Sequence, residues 1–111
     1  METEIVKWEG FVLKKIKEDN VSVHVEENIL EFLDSIDIEG KSVIDGGGSI
    51  GVYALVFSYS VGNSGRVYCY EMQGVIYDLC KENIELNKRK NIVCFNLALT
   101  DKTGDNIGYT A

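Results

Sequence analysis

Three features of the chain predict an α/β fold, a partial Rossmann-like parallel sheet of about three strands with flanking helices. The run Ser42-Val43-Ile44-Asp45 is short, apolar and ends in an acid, and it passes at once into Gly46-Gly47-Gly48-Ser49-Ile50-Gly51. A long apolar helical pattern begins where those glycines stop. Two further strand-like runs, 66–70 and 91–97, each follow a helix-length segment, so the order reads strand, helix, strand, helix, strand. Crossovers of that length return the chain for parallel pairing, which brings the carboxyl ends of the strands to one edge.

With 111 residues, 45% of them hydrophobic, the chain has room for one small core. The net charge of −7 excludes a general phosphate-backbone binder, which needs a basic face, so no nucleic-acid partner is expected. Lys88-Arg89-Lys90 is the one basic cluster, and at a helix end it reads as solvated charge beside the dipole. No segment approaches the roughly 18 apolar residues of a membrane span, and Met1-Glu2-Thr3-Glu4 lacks the basic start of a secretion signal. Cys69, Cys80 and Cys94 are widely separated and form no Cys-x-x-Cys pair. They read as buried reduced thiols in a reducing, cytoplasmic compartment, with no disulfide framework and no metal site expected.

Taken in order, residues 1–40 read as an N-terminal hairpin and helix, and 41–111 as the sheet domain. Phe11 to Ile16 is apolar and basic, and Val21 to Val25 alternates strictly, with the turn formers Lys17-Glu18-Asp19-Asn20 between them. A hairpin over 11–25 follows, with Trp8 packed at its start and His24, the lone histidine, facing solvent. Glu26 and Glu27 suit a helix N-terminus, and Ile29, Phe32, Leu33 and Ile36 share one face of that helix. After the first sheet strand, residues 50–61 are apolar nearly all round, which predicts a helix buried on several sides. Gly62-Asn63-Ser64-Gly65 stops it. Arg66 to Tyr70 is the second strand, ending at Glu71. Residues 74–88 form the next helix, with Ile76, Leu79, Cys80 and Ile84 inward, and Asn91 to Leu97 is the third strand.

At the shared edge, the glycine loop, Glu71 and the stretch Leu97-Ala98-Leu99 converge. A carboxylate there can accept hydrogen bonds from both hydroxyls of a ribose, apolar residues can cover a purine, and the helix N-terminus offers free N–H groups to an anion. The expected ligand is a ribonucleoside with an anionic extension. Two glycine patterns fit at once. Gly46-x-Gly48-x-x-Gly51 is the dinucleotide fingerprint, and Asp45-x-Gly47-x-x-x-Gly51 is the pattern of class I S-adenosylmethionine-dependent methyltransferases.

Val43-Ile44-Asp45-x-Gly47 with Ile50-Gly51-x-Tyr53, then Val61-Gly62-x-Ser64-Gly65-Arg66-Val67-Tyr68 with Glu71, resemble the FkbM family of those methyltransferases. Asn83-Ile84-Glu85-Leu86-Asn87 and Asn96-x-Ala98-Leu99-x-Asp101-Lys102-Thr103-Gly104 extend the resemblance to a little over half the chain. It implies S-adenosyl-L-methionine as cofactor and methyl transfer, often to an oxygen of a sugar or other small-molecule acceptor. Carried over by position, Asp45, Gly47 and Gly51 shape the methionine pocket, Glu71 holds the ribose diol, and Ala98 or its neighbour Leu97 lines the adenine slot; Gly46 and Gly48 of the same loop are expected to border the cofactor as well. Gly48-Ser49 departs from the family's usual alanine and asparagine, and Met72 from its usual proline.

The family's fourth strand, with its acidic motif, has no counterpart, and no catalytic residue is named. The first sheet strand is then an apolar edge, of a kind proteins normally cover. A missing C-terminal half of a longer protein, or a partner, is expected to cover it. Two other functions use the same features: an NAD-dependent oxidoreductase fragment, and a non-catalytic binding or assembly module that docks through the bare edge.

Overall fold

The computed structural model describes residues 2–18, 23 and 25–101. Its elements are β1 (Thr3–Trp8), β2 (Phe11–Ile16), α1 (Glu27–Ser35), β3 (Ser42–Gly46), α2 (Val52–Val61), β4 (Arg66–Tyr70), α3 (Gly74–Leu86) and β5 (Ile92–Phe95). As the alternation of strand and helix predicts, β3, β4 and β5 form a parallel sheet in that order, and β1 and β2 form a separate hairpin. Among the described residues no helix is long and apolar enough to cross a membrane.

The hairpin differs from the expected one. β1 pairs with β2 from Thr3↔Ile16 to Trp8↔Phe11, so the turn is Glu9-Gly10 and not Lys17–Asn20. Both turn residues have positive φ, 49° and 85°, which gives the twist that a two-residue hairpin needs. Trp8 stacks on Phe11 across the turn at 6.1 Å, and Lys15 pairs with Glu4 at 3.4 Å. The adjacent run offers β2 a partner at minimal loop length. Val25 is buried outside any strand, whereas Val21, Ser22 and His24 lie outside the described residues. So does the turn-rich loop from Lys102 onward.

One face of the sheet carries the core. Val67 and Cys69 of β4 meet Val52, Ala54, Leu55 and Val61 of α2 and Cys80 and Ile84 of α3, and Leu13 of β2 and Val25 join the same cluster. The opposite face is open: Ile44 at the β3 edge is 66% exposed, and Tyr70 stacks on Phe95 at 4.9 Å. α1 packs more loosely than its periodicity suggests. Ile29 and Leu30 touch the core, while Phe32, placed inward by the sequence pattern, is 57% exposed.

Two asparagines of α3 fasten the hairpin. Asn83 Oδ1 accepts from Lys14 N at 2.6 Å, and its Nδ2 donates to Lys14 O at 3.0 Å and Ile50 O at 2.8 Å. One turn on, Asn87 Oδ1 accepts from Val12 N at 2.9 Å, and its Nδ2 donates to Val12 O at 2.7 Å. Residues four apart on a helix lie on one face, and residues two apart on a strand edge offer backbone groups in the same direction. The two amides therefore stand in for a neighbouring strand along β2. A second polar lock joins α2 to the start of β5. Ser58 Oγ donates to Asn91 Oδ1, and Asn91 Nδ2 donates to Ser58 O at 3.0 Å and Gly62 O at 2.9 Å. Arg89 is not the solvated charge expected of it. Its Nε donates to Ser58 Oγ at 2.7 Å, and its guanidinium lies 4.0 Å from the centre of the Tyr59 ring.

Candidate functional site

β3 ends at Gly46, and the loop to α2 turns through Gly47 (φ 71°) and Gly51 (φ 100°), conformations open to glycine at little cost. Gly48 is required for a different reason. It is buried, and a Cβ there would lie 2.1 Å from Cys69 Sγ. The loop is tied to β4 by Gly48 N donating to Tyr70 O at 2.9 Å.

Glu71, just past β4, turns its carboxylate onto this loop. Oε1 accepts from Ser49 N at 2.9 Å and Oε2 from Gln73 N at 3.0 Å. Each carboxylate oxygen retains a second acceptor position, so a pair of vicinal hydroxyls can still be bound. The backbone beneath is held from β5: Glu71 N donates to Phe95 O at 3.0 Å, and Asn96 Nδ2 donates to Glu71 O at 2.9 Å.

A cleft of about 410 Å³ opens at these strand tips, near the lower end of ordinary ligand sites. Of the residues singled out in the sequence, Gly46, Gly47, Glu71, Leu97 and Ala98 line it. Asp45, Gly48 and Gly51 do not. Gly48 packs under the loop on Cys69, and Gly51 packs on Cys80. The wall is completed by Tyr70, Met72, Gln73 and Leu99. Tyr70 was accessible to sequence reasoning as the last residue of β4, whereas Gln73 enters through the backbone bend that its bond to Glu71 creates.

Asp45 lies behind the loop, on the core side of the sheet, beside its register partner Cys69. Burial pushes its carboxyl up to about 6; the Cys69 thiol, 3.8 Å away, opposes the rise, and the negative charges of Cys94 and Glu71 add to it. The three cysteines, read as scattered thiols, stand together. Cys69 and Cys94 are register partners on β4 and β5, and Cys80 descends from α3, with Sγ···Sγ distances of 3.8 Å (69–80) and 3.7 Å (80–94). Hydrogen bonds from Cys69 and Cys80, helped by the Lys81 ammonium, hold the Cys94 thiol below its usual range. Cys69 moves the opposite way, because its own proton is engaged by Cys80 and Cys94 and its sulfur is buried.

No family model matches the chain, and no curated protein matches it. Among solved structures it is similar to a SAM-dependent methyltransferase from Aquifex aeolicus, at 26% identity and a TM-score of 0.53, over 68% of this chain and 37% of that one. It is also similar to M. jannaschii TYW2 in complex with AdoMet, at 22% identity and a TM-score of 0.63, over 83% of this chain and 42% of that one. A third likeness is to Aeropyrum pernix fibrillarin with natively bound S-adenosyl-L-methionine, at 16% identity and a TM-score of 0.55, over 87% and 58%. The fold is thus the Rossmann-like one of SAM-dependent methyltransferases, and the chain spans less than two thirds of each of these proteins.

Proposed function

We propose that this chain is the cofactor-binding part of an S-adenosyl-L-methionine-dependent methyltransferase. The observation that carries the reading is the Glu71 carboxylate, bonded to the glycine loop at Ser49 N and bordering the same cleft as Gly47, Leu97 and Ala98. A ribose diol on Glu71 puts the adenine toward Leu97 and Ala98 and the methionine part toward Gly46 and Gly47. Methyl transfer from a sulfonium is a direct displacement, so the work of such a cleft is alignment of donor with acceptor. The likeness to the Aquifex enzyme supports the same cofactor.

Oxygen of a sugar or another small metabolite is the acceptor we favour, on the FkbM-like motifs of residues 43–104 and on the net charge of −7, which repels nucleic-acid backbones. A further strand, from a longer protein or a partner, would pair with the β3 edge where Ile44 is exposed.

Calorimetric titration with S-adenosylhomocysteine and, separately, with NAD tests the reading. S-adenosylhomocysteine is expected to bind, and Glu71→Gln to weaken it by about 10-fold or more, the order of a lost charge-assisted hydrogen bond. Preference for NAD would replace the reading with the oxidoreductase one. Binding of neither would leave the docking module.

A further inference from the structure

The three thiols come from three elements that pack for other reasons, yet their sulfurs all lie within 4.8 Å of one another. A zinc ion about 2.3 Å from each of three thiolates sets those sulfurs about 3.7–4.0 Å apart, whether the site is tetrahedral or trigonal. The spacings of 3.8 Å and 3.7 Å at Cys80 already match that requirement. Asp45 Oδ2 lies 3.8 Å from Cys69 Sγ on the same side of the sheet, beside the three sulfurs rather than among them. Cys69 and Cys80 are closed off from solvent, but Cys94 is half-buried and borders a separate cleft of about 340 Å³, with Lys81, Glu85 and Arg89 in its wall. The cluster lies behind the glycine loop and lines no part of the nucleoside cleft.

We propose that Cys69, Cys80 and Cys94 form a three-thiolate binding site for a thiophilic divalent cation of the zinc class. The thiols surrender their protons to solvent as the ion enters, and no electron is transferred. The proposal is independent of what the nucleoside cleft binds.

The test uses the reduced chain and Zn²⁺ alone. Competition with a chromophoric chelator is expected to show one ion held per chain, and X-ray absorption to show three sulfurs at about 2.3 Å. Cys94→Ser, at the half-exposed ligand, is expected to weaken the ion by at least about 100-fold, beyond the range seen when only a ligand's supporting partner is lost. Failure to retain zinc, or a shell of nitrogen and oxygen alone, overturns the proposal. So does Cys94→Ser binding as tightly as the parent. Should that variant not fold, the sulfur shell of the parent decides alone.

Discussion

At the scale of single residues, Gly48 and Asp45 show how closely the loop is fitted to what lies beneath it. Gly48→Ala would drive a methyl group to within 2.1 Å of Cys69 Sγ, in a place where the sulfur is itself packed against Cys80. Overpacking of this kind costs about 1–3 kcal/mol. Urea denaturation is expected to show that loss, and a smaller one when Cys69→Ala is present in the same chain, because the second change removes the obstructing atom. A Gly48→Ala protein as stable as the parent would contradict the packing. Asp45 gives a pH signature. Its carboxyl titrates at about 6 in the fold against 3.8 when free, so between those values the folded state holds more proton than the unfolded one. Taken alone, Asp45 therefore contributes stability that falls as pH rises from about 4 to 6 and is level above, the reverse of a salt-bridged acid and opposite in sign to the lowered Cys94 thiol. Melting temperatures isolate it by difference: as pH rises from about 4 to 6 the parent should lose stability relative to Asp45→Asn.

Among the elements, the contact between α3 and β2 adds paired polar groups to the apolar packing of Leu13. β2 is an edge strand of a two-stranded hairpin, which alone is marginally stable in water. Its free edge is satisfied at Val12 and Lys14 by the side-chain amides of Asn87 and Asn83. Asn83→Ala strands the N–H and C=O of Lys14 and the carbonyl of Ile50 in a buried place, at a cost of about 3 kcal/mol or more. Asn87, half-buried, should cost about 1 kcal/mol when replaced by alanine, since water can take over its bonds. Hydrogen exchange at the Lys14 amide separates the two: protection should collapse in Asn83→Ala and persist in Asn87→Ala.

For the whole molecule, the hairpin and the sheet share one core, with Leu13 of β2 fully buried among residues of α2, β4 and α3. Removing most of that side chain in Leu13→Ala should cost about 2–5 kcal/mol. Trp8, the single tryptophan, reports on the hairpin, and circular dichroism on the helices. The two signals should melt together in parent and variant alike, as in a two-state domain; separate transitions would mean that the hairpin folds apart. The open sheet face is the other molecular-scale feature. Ile44→Lys places charge on the exposed β3 edge, where surface changes alter stability by about 0.5 kcal/mol or less. Light scattering is expected to show reduced self-association in that variant at unchanged melting temperature, because charge on an edge strand opposes edge-to-edge pairing.

The sequence by itself determined what depends on neighbours along the chain. Apolar runs punctuated by glycine set β3, α2, β4, α3 and β5, and the alternation of strand and helix set their parallel order. Strand ends then followed, and with them the meeting of Gly46, Gly47, Glu71, Leu97 and Ala98 at one cleft. Tertiary structure decided what depends on distance in space. It chose Glu9-Gly10 as the hairpin turn, because two turn residues at positive φ let the nearest strand pair first. It drew Arg89 inward to Tyr59 and Ser58, and gave Asn83 and Asn87 the edge of β2 to bind. It also gathered Cys69, Cys80 and Cys94, which no short motif joins, because register across β4 and β5 and the descent of α3 bring distant positions to one point. Periodicity reports which face of an element is buried; only packing reports what waits on the other side.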